Sequence, residues 1–129
     1  MSQEKNVLIV GIDPYLIDFS SPEYAAFPGL TAEKVAGAVK GTLNELGTLG
    51  YEGTLCWTDF GPTAISTLEK FLNDKKWDGV LIGAGIRVPS PNFELFEKMI
   101  NTIHQHASES KIIFNSNPMD TISSIQRWI

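Results

Sequence analysis

A chain of 129 residues, 43% hydrophobic and 19% charged, has the length and make-up of one globular domain and can bury roughly two-thirds of the surface its unfolded form exposes. Its 15 acidic and 10 basic residues give a net charge of -5, and the basic ones are spread along the sequence; nucleic acid and anionic membranes, which need a concentrated positive face, are therefore not expected as partners. Cys56 is the only cysteine, which excludes an internal disulfide and a cysteine-based zinc site and suits a reducing compartment.

Residues 6–13 (NVLIVGID) form a continuous aliphatic run closing in Gly and Asp, the pattern of a strand buried on both faces. No apolar leader precedes it, so a cytoplasmic location is expected, and no apolar run approaches the ~20 residues of a membrane span. Residues 13–30 come next, about 18 residues where about 2 to 6 usually join a strand to its helix. This loop carries Tyr15, Leu16, Ile17, Phe19, Tyr24 and Phe27 with three prolines. So apolar a segment must pack, either as a lid over the sheet's end or against another subunit.

Thr31 opens a helix, with Leu30 and Val35 placed as a hydrophobic staple. Val35, Val39, Leu43 and Leu46 make its apolar stripe, and Gly47 or Gly50 can end it. Residues 51–59 (YEGTLCWTD) read as a second strand weakened by its glycine, and Pro62 suits the first turn of a second helix that buries Ile65, Leu68, Phe71 and Leu72. Residues 77–86 (WDGVLIGAGI) repeat the pattern of the first strand. After a turn at 89–92, Phe96, Met99, Ile100, Ile103 and Ala107 form the stripe of a third helix, and residues 111–115 (KIIFN) a fourth strand. Asn117, Pro118 and Asp120 then fall at N-cap, N1 and N3 of a last helix ending at Ile129.

Strands alternating with helices predict parallel βαβ units in a single domain over residues 1–129: a three-layer α/β/α arrangement with a four-stranded parallel sheet of order 2-1-3-4. This resembles a flavodoxin-like or Rossmann-like sheet lacking its last strand. The fold also resembles that of response-regulator receivers, but strand three ends in Gly-Ala-Gly where their phosphoacceptor Asp would stand. Neither a G-x-G-x-x-G fingerprint nor a G-x-x-x-x-G-K-[ST] loop is present, and no G-x-S-x-G elbow marks a hydrolase serine.

Ligands of open α/β sheets sit beyond the carboxyl ends of the strands where the order reverses, here between strands one and three. Gly83 and Gly85, leaving strand three, let the backbone approach a ligand, and Arg87 offers a planar donor for a carboxylate or phosphate. The alternatives are a turn for the glycines and a solvated or Asp13-paired side chain for Arg87. Asp13, leaving strand one, is the candidate catalytic base or metal ligand, with turn-capping as its competing role. Asn115 and Ser116, with Asp59, are candidates for a polar rim, set against local hydrogen bonding at loop starts. Asp120 is read chiefly as a helix cap.

His104 and His106 lie about 200° apart on a helix, cannot share an ion, and are expected on the surface at the opposite edge. Cys56 reads as a buried, inert thiol. No metal centre is predicted and no cofactor is named. The leading expectation is a domain that binds a small anionic molecule at strands one and three, as an enzyme or otherwise. The alternative is a homo-oligomerisation or interaction module that uses the aromatic 13–30 loop with Trp128 and Ile129.

Overall fold

The computed structural model describes residues 4–24 and 28–129. Phe27, counted among the aromatic residues of the long loop, lies outside the described residues. Four strands, β1 (Lys5–Ile12), β2 (Tyr51–Thr58), β3 (Gly79–Ile82) and β4 (Lys111–Phe114), form one all-parallel sheet of order β2-β1-β3-β4. The helices are α1 (Ala32–Thr48), α2 (Ala64–Asp74), a single turn α3 (Ala84–Arg87), α4 (Phe93–His106) and α5 (Thr121–Trp128). No helix among the described residues is long and apolar enough to cross a membrane.

Period-two alternation sorts the central strands into two cores. Leu8, Val10 and Ile12 of β1 with Val80 and Ile82 of β3 meet Leu68 and Leu72 of α2 and Leu95, Met99 and Ile103 of α4. The intervening Val7, Ile9 and Leu81, with Ile113, meet Leu46 of α1 and Ile125 of α5. Helices therefore cover both faces, as continuous apolar strands require. Gly53, which weakens β2 as a strand, has a packing reason: a Cβ there would stand 2.8 Å from Cδ2 of Leu43 on α1.

One boundary falls at the second of the two ends that the sequence allows, and two differ from the sequence pattern. Helix α1 runs through Gly47 and stops where Gly50 takes φ +89°, left-handed backbone that suits a glycine C-cap. Pro62 lies ahead of the α2 N-cap, Thr63, because the Asp59 carboxylate holds the backbone N–H and hydroxyl of Thr63 and sets the start of the helix there. The run 77–86 is strand only over Gly79–Ile82. Gly83 still donates to the Val10 carbonyl (2.9 Å), but the next N–H, of Ala84, goes to the Asn115 side chain (2.8 Å), and the chain turns into α3.

Parallel register also decides what each edge carries. At the amino edge Lys111 pairs with Gly79, and Lys5 begins the strand whose Val7 pairs with that same glycine. Lys5, Lys75, Lys76 and Lys111 line one crevice at this edge.

Candidate functional site

The carboxyl edge is built from four strand exits. At the end of β1, Asp13 donates its backbone N–H to the Thr58 carbonyl (2.9 Å), and its carboxylate caps a 3-10 turn, Pro14–Leu16, by accepting the Tyr15 N–H at 3.0 Å. The loop then turns again at Pro22–Tyr24. Ile17 packs against the α2/α4 core, and the rings of Phe19 and Tyr24 meet edge to face at 5.3 Å. The described part of the loop thus lies over the sheet's own end. Leu16, Ile17 and Tyr24 on one side and Phe60, Pro89 and Asn92 on the other enclose a groove of about 290 Å³.

At the end of β2, Asp59 accepts from the Gly61 and Thr63 N–H groups and from the Thr63 hydroxyl (2.7 Å). The Thr63 bond, followed by the backbone donors, holds its carboxyl below the usual range. Asp18 is lowered in the same way by Ser20. Asp120 is lowered chiefly by the Ser116 hydroxyl; it also accepts the Ser116 and Asn117 N–H groups and closes a capping box with Asn117. The helix-cap reading of Asp120 is what the structure contains.

The exits of β3 and β4 form one junction. Asn115 is only 6% exposed and all of its polar side-chain capacity faces inward: Oδ1 accepts the Ala84 N–H and Nδ2 donates to the Thr121 hydroxyl at 2.9 Å. The Arg87 guanidinium lies against the same residue, Nη2 donating to the Asn115 carbonyl at 2.7 Å, while Nε is buried with no partner among the described residues. No ion pair joins Arg87 to Asp13 among the described residues. Gly83, Arg87 and Asn115 are therefore brought together, with Ser116 next in the chain. Gly85 is tied instead through its carbonyl to the Asn92 side chain (3.2 Å), and Asp13 stands apart in its own turn.

Electrostatically this edge is mixed. Asp13, Asp18, Asp59 and Asp120 lie here with three cations that rest on backbone carbonyls, Arg87 on Asn115, Arg127 on Phe114 and Lys34 on Gly29, and the groove is lined by Asp18 without a Lys or Arg. Among the described residues no three His, Cys, Asp or Glu side chains are placed to hold a metal ion. Cys56 is fully buried, and desolvation pushes its thiol up to about 12, so it carries no thiolate near neutral pH.

Two features escaped the sequence pattern. Buried Asn92 links the groove to the Gly83–Arg87 turn; only its place at the end of Pro-Ser-Pro-Asn hinted at it. His106, expected on the surface, is half-buried with Nε2 3.0 Å from Glu69 Oε2, because α4 lays its last turn beside α2. His104 is exposed. In comparisons with known proteins, the sequence matches no protein-family model and no curated sequence.

Proposed function

We propose that the chain is a small-molecule-binding domain that seats its ligand at the carboxyl ends of β1 and β3, beneath the 13–30 segment, with Arg87 receiving an anionic group. The observation that carries the reading is the Arg87 Nε, a charged-group donor buried without an acceptor. Such a donor forgoes roughly 1–3 kcal/mol or more until something fills it. Asn115 holds the guanidinium in place, Ser116 continues the rim, and the Gly85 N–H has no partner among the described residues. Asp13, with one carboxylate oxygen already on the Tyr15 N–H, has its second oxygen for a base or ligand role.

The surrounding aspartates repel multiply charged anions, so the ligand class this edge suits is a monoanion whose remainder is apolar or cationic, matching the groove beside Asp18. Buried Cys56 goes with a reducing, cytoplasmic setting. The test is a thermal-shift screen of small carboxylates with Arg87→Lys, which keeps the charge but removes Nε and the planar fork. A ligand at ~100 times its Kd should add about 2.7 kcal/mol of stability to the parent and little to the variant. Equal shifts in both would overturn the assignment.

A second reading, assembly, is favoured by one observation. Of the eight large apolar side chains that stand exposed among the described residues, six (Tyr15, Leu16, Phe60, Val88, Phe93 and Met119) belong to this same edge. If they meet another copy, the solution mass is that of an oligomer, and Tyr15→Asp with Phe93→Asp returns it to a monomer; a parent that is monomeric at micromolar concentration removes this reading.

A further inference from the structure

The opposite edge of the sheet holds a second concavity, about 660 Å³, between the starts of β1, β3 and β4 and the ends of α2 and α4. Its size falls within the roughly 300–1,000 Å³ typical of small-ligand sites. Lys5, Lys75, Lys76 and Lys111 line it against two carboxylates, Asp78 and Glu109, in a chain whose overall charge is -5. Four of the ten Lys and Arg residues are thus drawn to one hollow of an acidic protein.

The partners of these charges set them apart from an ordinary salt-bridged surface. Asp78 is occupied, accepting the Asn6 N–H at 2.8 Å. Lys5 Nζ rests on the Ile129 carbonyl, and Lys75 is shared between Glu52 (3.3 Å) and the face of Trp77 (4.9 Å). Lys76 and Lys111 have no side-chain partner among the described residues. His106 lies on the wall, turned to Glu69.

We propose that this amino-edge crevice binds a small, multiply charged anion of the phosphate class. Lysines are flexible point charges that neutralise phosphate oxygens without demanding the fixed fork geometry of arginine. A half-open crevice with its lysines around one hollow, rather than a positive stripe across a face, fits a compact polyanion better than an extended nucleic acid. The ligand differs in kind from the monoanion assigned to the carboxyl edge, and the site is independent of that assignment.

Titration of the 15N-labelled full chain with inorganic pyrophosphate tests it. The amides of Lys76, Trp77, Ser110 and Lys111 should move, and raising the salt to 1 M, where screening acts within ~3 Å, should largely abolish the effect. Lys76→Gln combined with Lys111→Gln should weaken binding by about ten-fold with an unchanged unfolding midpoint, whereas Arg87→Lys should leave it intact. Undiminished binding in the double variant, shifts confined to residues 83–88, or tighter binding of a 20-nucleotide single strand than of pyrophosphate would each overturn the proposal.

Discussion

The two edges of this sheet spend their charged side chains in opposite ways. At the carboxyl edge the loops are long, and Asp13, Asp18, Asp59 and Asp120 each accept hydrogen bonds from residues within four positions in sequence. At the amino edge the connections are short, and the lysines that converge there come from the start of β1 (Lys5), the α2–β3 connection (Lys75, Lys76) and the start of β4 (Lys111), brought together by the parallel order of the sheet. A side chain satisfied by its own turn has little left for a ligand. Of those delivered by tertiary structure, Lys76 and Lys111 arrive without a side-chain partner among the described residues.

The sharpest way to break this contrast is at Asn115, a buried carboxyl-edge residue that bonds both Ala84 and Arg87 across about thirty residues of sequence. Asn115→Ala strands the Ala84 N–H and removes the donor to the Thr121 hydroxyl, and should cost about 2–3 kcal/mol, read as a lower urea midpoint with the slope preserved. A loss below 0.5 kcal/mol, on the order of an ordinary surface change, would show that the junction contributes little.

Smaller effects are expected from the locally bonded carboxylates. Asp59 and Asp120 have folded pKa values below their unfolded ones, so the unfolded chain binds more protons between the two. Their stabilisation is complete above the unfolded value of about 3.9 and is lost as the pH falls through the folded value. Asp59→Asn and Asp120→Asn should therefore be less stable than the parent at pH 7 and approach it in stability as the solution is acidified; a gap that stays constant with pH would mean that charge plays no part. Smallest of all should be the amino edge. Removing its exposed lysines should move stability by no more than about 0.5 kcal/mol while changing what the protein binds.

The same division explains what the residues disclosed in advance. Alternating aliphatic runs and amphipathic helices carry their signal within a dozen residues, so the four strands, their parallel order and the covering helices were legible. So was Asp120 as a cap, because Asn117-Pro118-x-Asp120 is a local motif. Strand three is shorter than its sequence pattern: Gly83 to Ile86 look like its continuation, whereas the bond that bends them comes from Asn115, a partner 31 residues away. The Arg87–Asn115 contact and the lysine crevice depend on the β3/β4 register, in which Gly79 meets Lys111, and no window along the chain contains that information.

Central β1 also governs how the molecule assembles itself. Its two neighbours are distant in the chain: Lys5 meets Tyr51 on one side and Val7 meets Gly79 on the other. This apolar strand can therefore pair on one side once β2 has emerged, but its other edge stays open until residues past the middle of the chain follow. Non-local parallel pairing of this kind slows folding and leaves aliphatic backbone open to unwanted association in the interval. During synthesis the stretch from Val7 to Val10 is the segment on which a holding chaperone would act, and β3 is the element whose arrival ends that exposure.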